Sequence, residues 1–208
     1  MGDATAHASH RHSWYPKAQC SSHFNEHDRP ILKGGDGWMQ GYNCQAAVDG
    51  DHQFIVAIGV SNQPSNAADL LPMLERIEAN TGQRPGVLIA DTGYSSTTNL
   101  EACEERKLDA YISMSRQQHG HRPRPSRGRV PGNLAARGRM DRKPRSKAHQ
   151  IVYALRKTIV EPVFRQIKGA RGLDRFRIRR LEKVNRECAL MATTRNLLIM
   201  FRASLATD

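Results

Sequence analysis

Apolar positions change their period several times along this chain, and each change marks an element. Between Met39 and Asp49, Tyr42, Cys44, Ala46 and Val48 alternate with Asn43, Gln45 and Ala47, the period of a strand with one more apolar face. Asp49-Gly50 predicts a turn, and the β-branched run Phe54 to Val60 predicts a second strand folded back on the first. Leu70, Leu71, Leu74 and Ile77 then share one helical face, with Asn66 available as a cap, Pro72 suited to the first turns and Gly82 placed to end the helix. Val87 to Ala90 is short and wholly apolar and runs into Asp91-Thr92-Gly93, the pattern of a buried strand that delivers a carboxylate to a sheet edge. A helix is predicted from Thr98, where Thr98 and Glu101 have capping-box spacing and Leu100 and Cys103 begin an apolar side. A short strand follows at Ala110 to Ile112.

The pattern lapses between about Arg116 and Lys147, where Arg, Pro, Gly and His predominate, and this stretch reads as a basic insertion or loop. Helical period returns at Ile151. The last helix carries Leu181, Val184, Cys188, Met191, Leu198 and Phe201 on one side and Arg180, Lys183 and Arg195 on the other. Residues 1–33 show no period and few apolar positions, so they are expected to be irregular, with one domain over residues 34–208. The order of elements predicts an α/β domain: a mixed sheet flanked by helices, with the basic insertion (about 116–147) before the last two helices.

Charge narrows the possible partners. The 208 residues carry a formal net charge of +12, which favours a polyanion, and nucleic acid over membrane because no apolar run is long enough to span a bilayer. Arg122, Arg124, Arg127 and Arg129 in the insertion are spaced to meet phosphates. Cys20, Cys44, Cys103 and Cys188 show no repeating spacing, which points away from a disulfide framework and toward a reducing compartment; no secretory signal opens the chain. Cys20, His23 and His27 have spacings a zinc ion could use, but no second cysteine pair accompanies them.

Two acids stand where phosphoryl-transfer chemistry would want them, since such sites bring carboxylates from different elements onto divalent metals. Asp91 ends a buried strand and Glu161 lies on a late helix. On pattern alone Asp91 reads first as a turn or helix-start residue, and Glu161 as a member of an exposed ladder with Lys157, Arg165 and Lys168. Pro162 must kink that helix or begin another.

Three stretches carry a resemblance: Lys33-Gly-Gly-Asp-Gly-Trp-Met-Gln-Gly-Tyr-Asn-Cys-Gln-Ala-Ala-Val-Asp49, Ile89-Ala-Asp-Thr-Gly-Tyr94 and Ile159-Val-Glu-Pro-Val-Phe-Arg-Gln-Ile-Lys168. Together they resemble the DDE transposases of bacterial insertion sequences, from about Phe24 to Arg202 and in the family's order. The resemblance implies an RNase H-like fold, two divalent ions (Mg²⁺ or Mn²⁺), and DNA cleavage and strand transfer at transposon ends without a covalent protein–DNA intermediate. It further implies a bacterial cytoplasmic, nucleoid-associated protein, and a homodimer or higher complex on DNA.

Carried over by position, Asp91 is similar to the second catalytic acid and Glu161 to the third. Tyr153, Arg156, Glu161 and Lys168 resemble a Tyr-Arg-Glu-Lys signature of part of the family, with one extra residue between Arg and Glu, so Lys157 competes with Arg156 for the Arg position. These cations, with Arg165, are expected to hold DNA phosphates. The first acid departs from the pattern. Related chains tend to read Thr-Asp-Pro-Asp, whereas this one has Asn25-Glu26-His27-Asp28, so Glu26 falls on the catalytic Asp, with Asp28 as a substitute and Asp49 a weaker one. The extra methylene of Glu26 displaces its oxygens from where Mg²⁺ would need them. The resemblance also implies that the family's N-terminal DNA-binding region is missing, a truncation. Beside the enzyme stand two other readings: a non-catalytic DNA-binding remnant, and a fragment that inhibits an intact transposase.

Overall fold

A computed structural model describes residues 31–34, 37–114, 131–143, 147–172 and 175–206. Chain order runs β1 (Ile31–Gly34), β2 (Gly37–Gln40), β3 (Asn43–Val48), β4 (Ile55–Ser61), α1 (Leu70–Thr81), β5 (Val87–Ala90), α2 (Thr97–Glu105), β6 (Asp109–Ile112), α3 (Ala136–Arg142), α4 (Lys147–Arg165) and α5 (Leu181–Leu205). The α/β class is as expected. The described strands, however, form three separate pairs, β1–β2 and β3–β4 antiparallel and β5–β6 parallel, where one mixed sheet was expected. Strand structure also starts at Ile31, inside the segment expected to be irregular, and α3 lies within the stretch read as a basic insertion.

The β3–β4 hairpin is covered on both faces, which alternation with polar residues did not suggest. Ala57 and Ala47 face a core formed with α1, β5, α2, β6 and α3, centred on Leu74, Leu100, Cys103 and Ile112. Ala46, Val48, Ile55 and Ile58 face a smaller core of Val163 and Ile167 from the α4 segment and Ala192 from α5. Flanking helices also reach the β4 backbone. Asn80 of α1 donates to the Val56 carbonyl (2.8 Å) and Arg76 to that of Ile58 (2.9 Å), while Asn196 of α5 takes the Ile55 N–H (3.0 Å) and donates to its carbonyl (2.9 Å). Such bonds leave little of the strand for another chain to pair with.

Local chemistry sets the ends of the helices, not always where expected. Ser65, and not Asn66, caps the 3₁₀ turn Asn66–Asp69 that leads into α1, and Pro72 falls in the first turn of α1. Gly82 ends α1 in the left-handed region (φ 70°), donating its N–H to Glu78. Ser96, not Thr98, caps α2 by accepting from the Asn99 N–H at 3.1 Å. Arg139 of α3 bonds Glu104 of α2 through Nε (2.7 Å) and Nη2 (2.5 Å), which holds the Glu104 carboxyl below its ordinary range. Two readings of burial are corrected. Val87 is 51% exposed, so β5 is buried only at its Ala90 end, and Arg195, placed on the polar side of α5, is 2% exposed while Phe201 is 59% exposed. Arg195 replaces an apolar residue on the buried stripe Val184, Cys188, Ala192, Arg195, donating Nη1 to the Gln53 carbonyl.

Candidate active site

Asp91 stands at the C-terminal end of β5, exposed, and caps the 3₁₀ turn Thr92–Tyr94 by accepting the Gly93 N–H on Oδ1 at 2.8 Å. The turn reading and the carboxylate-delivery reading are therefore both satisfied by one geometry. A Cβ at Gly93 would lie 3.0 Å from the Asn66 side-chain amide nitrogen and 3.1 Å from Asp91 Oδ1, so Asn66 approaches this turn closely. Asn99, 3% exposed, joins the same two turns from below: its Nδ2 donates to the Ala67 carbonyl (2.7 Å) and to the Tyr94 carbonyl (2.8 Å). On the far side, Asn43 bonds Asn66 (2.5 Å), and Gln45 and Ser61 donate to Asp69, the latter at 2.9 Å.

Tyr94 reports the field there. Burial, then the carboxylates of Asp91 and Asp69, push its phenol well above the ordinary tyrosine range, so it stays protonated and available as a donor. From the sequence, Asn66 was noted only as a helix cap and Tyr94 only within a stretch that carries the resemblance, while Asp69 and Asn99 were not singled out. Asn99 leaves a trace there, as a polar residue on the face that Leu100 and Cys103 bury.

Glu161 lies in α4, which packs against β5 and β6, so the elements bearing the two acids adjoin. Its side chain is exposed and pairs with Arg156 (Nη2–Oε1 3.9 Å), whose guanidinium lies 5.6 Å from the centre of the Tyr153 ring. Three members of the expected signature thus gather, with Arg156 rather than Lys157 beside the acid. Lys157, Arg165 and Lys168 are exposed, Lys168 with its Nζ 6.0 Å from the Phe164 ring centre. Asp49 is used locally, accepting the His52 N–H at 2.8 Å. Glu26, Asp28, Cys20, His23, His27, Arg122, Arg124, Arg127 and Arg129 lie outside the described residues.

Pro162, next to Glu161, neither breaks α4 nor begins a new helix. It has no N–H for the Thr158 carbonyl four residues back; Gln53 supplies the missing donor from Nε2 at 2.9 Å. Gln53 itself sits at φ 60°, a conformation costly for a residue with a Cβ, held by this bond and by Arg195 on its carbonyl. The helix then widens into a π turn, Gln166–Ala170. An open hollow of about 450 Å³ between Gln53, Pro162, Arg165 and the π turn has no acid in its lining and is distinct from the surroundings of Asp91.

The transposase DDE domain family matches residues 3–197, nearly the whole chain. This chain belongs to that family. No curated protein and no solved structure matches it. Transposases of this family act on DNA by nucleotidyl transfer and generally use divalent metal ions, and the mixed α/β architecture is compatible with their fold. In this transposase domain no group of three or more His, Cys, Asp or Glu that could hold a metal ion occurs among the described residues. Asp91 and Glu161 are exposed carboxylates on elements that adjoin, and their oxygens are of the hard kind that divalent ions prefer. Among the described residues no helix is long and apolar enough to cross a membrane.

Proposed function

We propose that this chain is the catalytic part of a bacterial insertion-sequence transposase of the Tyr-Arg-Glu-Lys branch, with an RNase H-like fold, cutting phosphodiesters at transposon ends and joining the freed 3′-hydroxyl to target DNA. The observation that carries the reading is the exposed Asp91 at the end of β5, with the Glu161 helix packed alongside, in a chain of this family. Asp91, Glu161 and Glu26 or Asp28 would hold two Mg²⁺ or Mn²⁺ ions, which when bound would activate the attacking oxygen and stabilise the leaving one.

The protein's own groups position the DNA. Tyr153, Arg156, Lys157, Arg165 and Lys168 on and just beyond α4 meet backbone phosphates near Glu161, and Arg122, Arg124, Arg127 and Arg129 extend the contact. The Arg156–Glu161 pair keeps a guanidinium beside the acid, where it can turn to a phosphate when DNA arrives. Asn99 fixes the turn that orients Asp91, and the protonated Tyr94 is a donor close to it.

The test is metal-dependent nicking of DNA by the purified chain, abolished in Asp91→Asn and in Glu161→Gln. Nicking that survives both substitutions overturns the assignment. Glu26→Asp should raise the rate if Glu26 is the first acid, and no change would assign that role elsewhere. The net charge of +12 favours a second reading, a DNA-binding remnant that occupies transposon ends or pairs with an intact transposase and inhibits it. Salt-sensitive DNA binding without nicking, and lowered transposition on co-expression with an intact relative, would select it.

A further inference from the structure

Cys44 on β3 and Cys188 on α5 are 144 positions apart in the chain, yet their sulfurs lie 2.7 Å from one another. Two unbonded sulfurs do not normally approach so closely, and both thiols are free. Cys188 is 5% exposed, while Cys44 is partly open to solvent, so one sulfur is accessible to a small reagent and the other waits behind it. Cys103 provides an internal contrast: it is 1% exposed in the larger core, with no sulfur partner among the described residues.

We propose that Cys44 and Cys188 form a reversible disulfide that staples the last helix to the hairpin, with a low-molecular-weight disulfide such as oxidised glutathione as the oxidant. The inference is independent of the cleavage chemistry proposed above. In the first step the Cys44 sulfur attacks one sulfur of the small disulfide; the S–S bond of the reagent breaks, a mixed disulfide forms on Cys44, and one small thiol leaves with the Cys44 proton. In the second the Cys188 sulfur attacks Cys44 Sγ, the mixed bond breaks, and a second small thiol leaves with the Cys188 proton. Two protein thiols are oxidised and one small disulfide is reduced to two thiols. α5 is already held to the hairpin by Asn196 on Ile55 of β4 and by the core in which Ala192 meets Ala46 and Val48 of β3, so closing the bond needs little movement of the backbone.

What the bond would fix is α5 against β3. Cys44 is followed by Gln45, which donates to Asp69 in the turn network beside Asp91, and Cys188 is on the helix whose Arg195 holds Gln53. Oxidation would therefore join α5 to the β3–β4 hairpin covalently and restrict the unfolded chain through a long loop.

The experiment incubates the full chain with oxidised glutathione, then with reduced glutathione, quenches with an alkylating reagent under denaturing conditions, and maps peptides by mass spectrometry. A peptide pair containing Cys44 and Cys188, lighter by two hydrogens and restored to free thiols on reduction, is expected, with Cys103 still alkylated. The thermal midpoint of the oxidised chain should rise by on the order of 10 °C, a shift that reverses on reduction and is absent in Cys44→Ser and in Cys188→Ser. Because the cross-link is mapped in the unsubstituted chain, loss of folding in either variant would not hide it. Stable glutathione adducts on the separate cysteines, both thiols still alkylated after oxidation, or cross-links to Cys103 or Cys20 instead, would each overturn the proposal.

Discussion

Asp91 and Glu161 are held in opposite ways. The turn around Asp91 is fixed chiefly by bonds within a few residues: its own carboxylate on Gly93, Ser96 on Asn99, and Asn99 on Tyr94. Glu161 rides on a helix whose continuity past Pro162 depends on Gln53, more than a hundred positions upstream, and on the small core around Val163. One acid is placed by local sequence, the other by tertiary structure. The turn should therefore tolerate loss of distant contacts, and α4 should not.

Packing gives the largest test of that contrast. Leu100→Ala, in the larger core beneath Asp91, should cost about 2–5 kcal/mol, and Val163→Ala, in the smaller one, about 2 kcal/mol, read from urea unfolding. If Val163→Ala proves the more damaging, the ranking of the two cores is wrong. Next comes Asn99→Ala, which strips the donor from two carbonyls and should cost about 2 kcal/mol by the same measurement. A change of a few tenths would mean that water replaces the amide and the two turns are not held by it.

A smaller effect isolates the long-range support. Gln53→Ala should cost about 1 kcal/mol, because it leaves the Thr158 carbonyl without a donor. In a Pro162→Ala background the helix regains its own N–H, and the same substitution should cost close to nothing. Additive effects of the two changes would show that Gln53 does not act through the proline. Smallest of all is Asp91→Asn, which keeps an oxygen for the Gly93 N–H and should shift stability by no more than about 0.5 kcal/mol. A larger loss would mean that the carboxylate charge itself holds the turn.

The same division decides what could be read from the sequence. β4, β5, α1 and the Gly82 stop were legible because period and turn chemistry act over a few residues. The bond network of Asn99, the pairing of Gln45 with Asp69 and the burial of Arg195 were not, since each polar residue finds its partner far along the chain. Gln45 looked like the solvent side of a strand because nothing in its neighbours shows that α1 begins above it. For Asp91 pattern gave a turn, which is present; for Glu161 it gave a ladder with Lys157, Arg165 and Lys168, whereas the acid pairs with Arg156. Their proposed catalytic roles come from resemblance, and the structure adds that β5 and α4 adjoin.

The bond between Gln53 and Thr158 also bears on the order in which the chain acquires its form. A helix that borrows a hydrogen-bond donor from a hairpin loop gains that part of its stability only after the hairpin has docked, and contacts between distant parts of a chain are slow to close. The first turns of α4 can form early, while the turn bearing Glu161 and Pro162 should mature among the last. In pulsed hydrogen exchange during refolding, amides around Val163 should become protected after those of α1, and simultaneous protection would contradict this order.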